Sequence, residues 1–306
     1  MDLPHMVPTL IPQHDIRVLH LELTTRCQAA CPQCDRMIPD RGYTQDHDLS
    51  LDNIKSLFSE DFVRQLDKMF ACGTFGDPAA AAECLEIFQW FRSVNPNITL
   101  GMNTNGGLRN AAFWKSMGSL LSRPRDYCVF SIDGMARTND IYRRGVMWHK
   151  VMLNAEVFIE AGGRAHWDML IFDHNKHELE NCKAHAGRMG FVRFRSKISA
   201  RHQEVPISWL NPPPGFHTPD NSGPIQCHAQ KEQSMYVAAT GRILPCCFFG
   251  GEVFRWTDSL QQMVDDPDSI IRSWPHDPPT VCKHNCGTSR EKTQFEQQFV
   301  EETAFD

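Results

Sequence analysis

The chain has 306 residues, of which 41% are hydrophobic, so it can bury the core of one large domain or of a domain with an appendage. Its formal net charge of −6 gives no bulk attraction to nucleic acid. The N-terminus lacks the features of a signal peptide, and no segment approaches the roughly 18 apolar residues of a membrane span. We therefore expect a cytoplasmic protein without nucleic-acid or membrane partners, whose 12 cysteines serve metal binding or redox chemistry rather than disulfides.

From residue 17 to residue 197 the sequence alternates between short β-rich runs and longer stretches with helical periodicity. The predicted strands are Val18–Leu23, Lys68–Cys72, Ile98–Asn103, Tyr127–Ile132, Trp167–Phe172 and Phe191–Lys197. The predicted helices are Leu51–Ser59, Ala80–Val94, Ala111–Leu120, Trp148–Ala161 and Lys176–Met189. This alternation indicates an α/β fold with a parallel sheet, in which functional residues lie at the carboxyl ends of the strands.

Three cysteines follow the first predicted strand. Cys27, Cys31 and Cys34 have the spacing C-x3-C-x2-C, and three such thiolates can hold three irons of a [4Fe–4S] cluster and leave the fourth iron open. A zinc site or a fully ligated cluster is the alternative. The spacing resembles the cluster loop of the radical S-adenosylmethionine (SAM) enzymes. That resemblance implies that the open iron binds SAM, although Gln33 replaces the aromatic residue that usually precedes the third cysteine.

The next two strands end in glycine-rich turns. Gly76 and Asp77 belong to Gly-Thr-Phe-Gly-Asp-Pro, which resembles the superfamily segment that holds the SAM ammonium group with carbonyls and an acid. Thr104 and Asn105 belong to Asn-Thr-Asn-Gly-Gly, which is similar to the Thr-Asn-Gly turn of many radical SAM proteins. Both segments could equally be ordinary turns.

The fourth strand ends in Ser-Ile-Asp-Gly, which resembles the corresponding strand end of radical SAM enzymes of the sulfatase-maturase type. In them an arginine ten residues beyond the aspartate contacts the SAM carboxylate, and Arg143 lies ten residues beyond Asp133. Ser131 would contact the SAM carboxylate or ribose, and Arg144 could replace Arg143 in its role. After the fifth strand, Asn175 could approach the adenosyl group or could simply end the strand.

The sequence changes character after residue 200. Residues 201–226 are rich in proline and polar residues and are typical of a connector. Residues 227–306 contain a second cysteine group, with Gly241 five residues before one of its cysteines, and end in a predicted helix over 288–301. The order resembles the twitch domain, a shorter relative of the SPASM domain. The cysteines that would ligate an auxiliary [4Fe–4S] cluster are Cys227, Cys246 (or the adjacent Cys247), Cys282 and Cys286.

The resemblance covers the whole chain and implies a partial TIM-type (β/α)6 radical SAM barrel over residues 1–200, followed by a small cysteine-rich, twitch-like domain. It also implies an oxidoreductase that binds SAM and two [4Fe–4S] clusters and acts on a small molecule or a peptide. Flavodoxin or ferredoxin would supply the electron. Net oxidation with the auxiliary cluster as acceptor is one expectation. Redox-neutral peptide epimerisation, or another step in the maturation of ribosomally made peptides (RiPPs), is a second. An iron–sulfur electron carrier without SAM chemistry is a third. The residue patterns do not single out a catalytic acid, base or hydrogen-atom donor.

Overall fold

A computed structural model describes residues 11–38, 45–202, 205–215, 223–249, 280–289, 292–293 and 299–305. Its strands are β1 (Val18–Leu21), β2 (Lys68–Ala71), β3 (Thr99–Thr104), β4 (Tyr127–Ser131), β5 (Ala165–Ile171), β6 (Arg193–Ile198), β7 (Ser234–Val237), β8 (Ile243–Leu244), β9 (Thr288–Ser289), β10 (Lys292–Thr293) and β11 (Phe299–Ala304). Its α-helices are α1 (Leu51–Leu57), α2 (Glu60–Arg64), α3 (Cys84–Val94), α4 (Ala111–Leu120), α5 (Asn139–Tyr142), α6 (Trp148–Glu160), α7 (Leu179–Met189), α8 (His228–Glu232) and α9 (Thr280–Cys286).

Nine of the strands form one mostly parallel sheet, in the order β11-β6-β5-β4-β3-β2-β1-β7-β8. β1 to β6 are parallel neighbours in chain order, which confirms the predicted α/β fold built from β/α repeats. β7 adds to the other side of β1 in parallel, and β8 returns antiparallel to β7. The carboxyl ends of seven strands therefore meet at one edge, which is where ligands bind in parallel β/α folds.

Local sequence explains where the helices begin and which face they bury. Ser50 caps α1 by accepting from the Asn53 amide, and Asn110 caps α4 in the same way. α3 buries Ile87, Phe88 and Phe91, whose spacing puts them on one helix face. Among the described residues, no helix is both long and apolar enough to cross a membrane.

The core lies between the helices and one face of the sheet. Met69 and Ala71 of β2 are completely buried there, whereas Lys68 and Phe70 alternate to the other face and are half-buried. Cys84, Cys128 and Cys182 are completely buried, as expected for small apolar residues. Cys72 follows the alternation of Phe70 and is half-buried, so it differs from these three. The largest buried side chains include those of Trp114, Trp167, Phe88, Phe91, Phe130, Phe158, Phe191 and Phe194.

The helix predicted over 288–301 is wrong for the described part of that stretch, which forms β9, β10 and the start of β11. β11 pairs antiparallel with β6 and covers an edge that would otherwise present unpaired amides and carbonyls. Glu301 forms an ion pair with Lys183, and Phe305 packs against the core. The charged pattern suits a helix locally, but β11 instead satisfies the free backbone groups at the edge of β6.

β7 and β8 form a hairpin before Cys246, and it extends the main sheet. β7 and β8 are joined by a turn in which Gly241 has a φ of +81°, a conformation that glycine adopts without strain. Because β7 pairs with β1, the sheet continues across residue 227, where the sequence predicts a new domain to begin.

The buried residue His20 on β1 makes the stability of the protein depend on pH. It is 8% exposed, and its Nε2 donates to the Cys72 carbonyl at 2.7 Å. Burial lowers the pKa of His20 to about 4; the hydrogen bond opposes this and the Lys68 charge adds to it. The unfolded chain therefore takes up a proton at His20 near pH 6.5, before the folded protein does, and stability is lost as the pH falls from about 6.5 to about 4.

We expect His20→Gln to reduce the loss of unfolding free energy between about pH 7 and about pH 4.5 by about 2 to 3 kcal/mol, because glutamine keeps a donor but does not titrate. Urea unfolding of the metal-free protein at the two pH values measures this. The exposed His14 is the control, and His14→Gln should keep the parent's pH dependence. An identical pH dependence in parent and His20→Gln would contradict the assignment.

Candidate functional site

The three N-terminal cysteines lie on the loop after β1, at the carboxyl edge of the sheet. Cys31 is 8% exposed, and Cys27 and Cys34 are half-buried. The Cys34 amide donates to the Cys31 carbonyl at 3.0 Å, and the Ala30 amide donates to the Arg144 carbonyl at 2.8 Å. These bonds fold the loop back on itself and fasten it to the segment that follows α5.

The electrostatics of this loop suit a metal cluster. Burial raises the pKa of Cys27 to about 12, and Asp77, Cys31 and Cys34 act in the same direction. Burial also raises the pKa of Cys31, although Arg143 opposes it. Because Cys31 and Cys34 both act on Cys27, the three thiols form one group, and the thiolates of Cys27 and Cys31 are unfavourable until cations neutralise them. The donor set therefore fits a [4Fe–4S] cluster held by Cys27, Cys31 and Cys34.

The structure brings Asp77, Thr104 and Asn105 together beside Cys27. The Asp77 carboxylate is buried and accepts from the Thr104 hydroxyl at 2.8 Å, the Asn105 amide at 2.7 Å and the Ala79 amide at 2.9 Å. The Asn105 side chain donates to the Cys27 sulfur at 3.5 Å. Burial raises the pKa of Asp77, and these hydrogen bonds oppose the rise. The ends of β2 and β3 are thus joined to each other and to the cysteine loop.

Gly76 allows the turn after β2 to approach the cysteine loop. A Cβ at this position would lie 1.8 Å from the Thr24 carbonyl oxygen, so only glycine fits. Directly after it, the Asp77 amide donates to the Arg26 carbonyl at 2.9 Å. The close approach puts the turn against the backbone that immediately precedes Cys27.

Arg143 and Asp133 form a buried ion pair at the end of β4. Arg143 Nε donates to Asp133 at 2.6 Å, and the guanidinium also lies 3.9 Å from the Cys31 sulfur. Burial alone would lower the pKa of Arg143, but the Asp133 carboxylate raises it, so the cation is stable. Arg144 points elsewhere and stacks 4.5 Å from the ring of the exposed Trp209. Of the two neighbouring arginines, Arg143 is the one beside the cysteine loop.

Ser131 and Asn175 differ in their surroundings. Ser131 ends β4 and is half-buried, beside Asp168 of β5 in the register. Asn175 is fully buried, accepts from the Phe172 amide at 2.7 Å and donates to the Asp133 carbonyl at 2.9 Å. These hydrogen bonds give Asn175 a structural role at the end of β5.

Two glutamines of the cysteine loop have roles that the sequence does not reveal. Gln28 donates to the Asn105 side chain at 2.7 Å. Gln33 is completely buried; it accepts from the Ser199 hydroxyl at 2.8 Å and lies 3.3 Å from His202 Nδ1. At the position where an aromatic residue is usual, this chain therefore has a polar side chain that fastens the loop to the end of β6. The only signal in the sequence is that departure from the family pattern.

The second cysteine group gathers α9, the start of α8 and the segment after β8. Burial raises the pKa of Cys246 well above its usual value, and Cys282 and Cys286 act in the same direction. Cys227 likewise acts on Cys282 and Cys286 after burial. The Gln226 amide donates to the Cys286 carbonyl at 2.9 Å, which joins two parts of the group. The donor set of two buried and two half-buried thiols fits a fully ligated [4Fe–4S] cluster.

Cys247 also lies near the second cysteine group. Burial raises its pKa to about 12, and the charges of Cys72 and Cys286 add to the rise. Burial raises the pKa of Cys246 further, with Cys247 as the first contributing charge, ahead of Cys282 and Cys286. Of the two adjacent cysteines, Cys247 is the one whose ionisation is affected by Cys72.

Among the described residues, no three histidine, cysteine, aspartate or glutamate side chains converge on one metal position.

A surface cleft of about 410 Å³ reaches Cys27 from outside the sheet. Its lining includes three arginines, Arg26, Arg36 and Arg109, and one acidic residue, Asp46. Arg36 donates to the Cys27 carbonyl at 2.6 Å, which brings one positive charge to the edge of the cysteine loop. The cleft is thus cationic on a chain whose net charge is negative.

The Gly76 contact predicts a specific loss of stability. Gly76→Ala should lower the unfolding free energy of the metal-free protein by about 1 to 3 kcal/mol, because the new methyl group overlaps the rigid Thr24 carbonyl. Urea unfolding measures the change. Gly187→Ala in α7, where the nearest atom belongs to the Phe305 ring at 3.1 Å, is the control and should be nearly neutral. Equal stability of the two variants would contradict the close approach.

Comparison with known proteins identifies structural but not sequence relatives. No family model and no curated protein matches this chain. The structure of Streptococcus suis SuiB bound to precursor peptide SuiA has a TM-score of 0.60 at 16% identity, over 92% of this chain and 75% of SuiB. SuiB bound to SAM has a TM-score of 0.57 at 16% identity, over 92% and 77% of the two chains.

A second enzyme gives the same result. Native anSMEcpe, with bound SAM and the Kp18Cys peptide, has a TM-score of 0.53 at 12% identity, over 92% of this chain and 94% of that enzyme. SuiB and anSMEcpe are radical SAM enzymes with partial barrels. At these identities the match establishes the fold. The chain therefore has the α/β partial-barrel fold of the radical SAM enzymes.

Proposed function

We propose that this protein is a radical SAM enzyme that abstracts a hydrogen atom from its substrate and completes a net oxidation. The observation that carries the proposal is the convergence of Asp77, Asn105 and the Asp133–Arg143 pair on the three-cysteine loop. An amino-acid ligand needs an acceptor for its ammonium group and a donor for its carboxylate, and these residues supply both within one buried edge.

Asp77 has room for one more hydrogen bond. A carboxylate offers about four acceptor positions, and three are used by Ala79, Thr104 and Asn105. The SAM ammonium would take the fourth, together with carbonyls of the turn that contains Gly76. Thr104 and Asn105 would hold the carboxylate of Asp77 in place from the end of β3.

Arg143 would bind the SAM carboxylate. Its Nε is used by Asp133, and the remaining nitrogens face the Cys31 side of the site. Asp133 holds the Arg143 guanidinium in one orientation and keeps it charged. Ser131, at the end of the same strand, would add a hydroxyl donor for the carboxylate or the ribose. Asn175 would support this wall through its bond to the Asp133 backbone.

Cys27, Cys31 and Cys34 would hold the [4Fe–4S] cluster, which when bound would supply the electron that cleaves SAM to methionine and a 5′-deoxyadenosyl radical. Cys227, Cys246, Cys282 and Cys286 would hold an auxiliary cluster. Four thiolates leave it no open iron, so electron transfer is the task that suits it. Removal of an electron from the substrate radical would make the overall reaction an oxidation, either a dehydrogenation or a cross-link.

Two partners follow from this proposal. The substrate would be a small molecule or a peptide, and the peptides bound to SuiB and anSMEcpe support the peptide class. A one-electron donor such as flavodoxin or ferredoxin would dock at the cleft beside Cys27. Its arginines suit the acidic surface of such a donor and would bring it close to the cluster loop.

A redox-neutral reaction, such as peptide epimerisation or another RiPP modification, is the second candidate. It needs a thiol that returns a hydrogen atom to the substrate. Cys72 and Cys247 lie outside both proposed ligand sets, and the charge of Cys72 adds to the rise in the pKa of Cys247 that burial causes. An electron carrier without SAM chemistry is the third candidate, and SAM cleavage by the reduced protein would exclude it.

The cluster assignment predicts iron contents. After anaerobic reconstitution the parent should hold about eight irons, and the triple variant Cys27→Ala, Cys31→Ala, Cys34→Ala about four, because each cysteine group holds one four-iron cluster. Iron and sulfide analysis measures this, and the variant should also lose SAM cleavage. About four irons in the parent and none in the variant would remove the auxiliary cluster and favour redox-neutral chemistry.

The carboxylate assignment predicts the effect of Arg143→Lys. Lysine keeps a charge beside Asp133 but lacks the two-pronged geometry, so SAM affinity should fall about tenfold while iron content stays at the parent value. Equilibrium dialysis with labelled SAM measures the affinity. Arg144→Lys is the matched control and should bind SAM like the parent. Loss of affinity in the control alone would reassign the role to Arg144.

A further inference from the structure

Glu22 is a buried carboxylate that the proposed reaction does not use. Glu22 is the first residue after β1 and is 1% exposed. It lies beside both the turn that follows β2 and the β7–β8 hairpin. A carboxylate so far from water is costly unless donors surround it. Glu22 lies between two segments that each carry a candidate site, so its hydrogen-bond donors can connect the two sites.

The donors come from both sides. The Phe75 amide donates to one oxygen of Glu22 at 2.8 Å, and the Tyr236 hydroxyl donates to the other at 2.9 Å. Burial raises the pKa of Glu22, and these bonds, together with those from the amides of Ala239 and Thr74, oppose the rise. Phe75 and Thr74 belong to the turn that ends in Asp77, whereas Tyr236 and Ala239 belong to β7 and the hairpin.

The hydroxyl of Thr74 continues the connection. It lies 3.3 Å from the Tyr236 hydroxyl and 3.5 Å from the Cys247 carbonyl. The Tyr236 proton is committed to the Glu22 carboxylate, which can only accept. The Thr74 proton is therefore shared between the Tyr236 oxygen and the Cys247 carbonyl. A continuous set of hydrogen bonds thus runs from the turn, through Glu22 and Tyr236, to the segment that carries Cys246.

We propose that Glu22 is a positioning residue that fixes the turn at residues 73–77 relative to the Cys246–Cys247 segment, so that SAM binding and the second cysteine group affect each other. The SAM part of this proposal rests on the proposed function. Because the turn and the β7–β8 hairpin share one carboxylate, and Thr74 of the turn also contacts the Cys247 carbonyl, a displacement of either one changes the hydrogen bonds of the other. The coupling between two sites that share such an element is reciprocal.

The first test uses metal-free protein and does not depend on SAM. N-ethylmaleimide labelling of Cys247, followed by peptide mass spectrometry, should be about fivefold faster in Tyr236→Phe and in Thr74→Val than in the parent, because the segment opens more often. Tyr127→Phe is the matched control. Tyr127 is half-buried and lies at the start of β4, at the amino edge of the sheet. Equal labelling rates in all four proteins would overturn the link.

The second test is a cycle of SAM dissociation constants in reconstituted protein. Cys282→Ala should weaken SAM binding about fivefold in the parent background and should have no effect in the Tyr236→Phe background. A purely structural role for Tyr236 would give the same ratio in both backgrounds, and that result would overturn the coupling. Tyr127→Phe should keep the parent ratio.

The two tests separate this proposal from the proposed function. If the parent does not bind SAM, the proposed function fails, whereas the labelling rates still decide whether Glu22 joins the two segments. If Tyr236→Phe does not fold, Thr74→Val allows the same two comparisons. Thr74 is half-buried and its replacement leaves the Glu22–Tyr236 bond intact.

Discussion

Hydrogen bonds to buried carboxylates hold together the loops at the carboxyl edge of the sheet. Glu22, Asp77 and Asp133 each follow or end a neighbouring strand, and each is at most 4% exposed. None can be left without donors, and each takes some of them from a different segment of the chain. Hydrogen bonds to these carboxylates therefore fix the loops at the carboxyl edge in addition to apolar packing, which suits a surface that must bind a polar ligand.

Much of this arrangement could be predicted from the sequence. Alternating β-rich and helical runs predict six parallel strands whose observed ends differ from the expected ones by at most two residues. The same alternation predicts which residues meet, because Cys27, Asp77, Asn105 and Asp133 all follow a strand end. The motif resemblance predicts SAM chemistry, which hydrophobic periodicity cannot indicate. The structural neighbours support the fold that this resemblance implies.

Other features depended on contacts distant in sequence and could not be predicted. β11 forms because β6 has a free edge. The sequence of residues 299–304 does not indicate that β6 is the strand with which it pairs. The choice between Arg143 and Arg144 was open because adjacent residues look equivalent until one is buried against Asp133. Glu22 looked like an ordinary alternating strand residue, and only the turn and the hairpin together give it a role.

The pairing of β7 with β1 also sets an order of events during synthesis. Val18 pairs with Ser234, which leaves the ribosome about 200 residues later. At about 5 to 20 residues per second, this delay lasts roughly 10 to 40 s. During that time β1 is an open edge with the three-cysteine loop already attached to it. The nascent chain therefore presents its first set of thiols well before the second exists, and the last strands to arrive close both sides of the sheet.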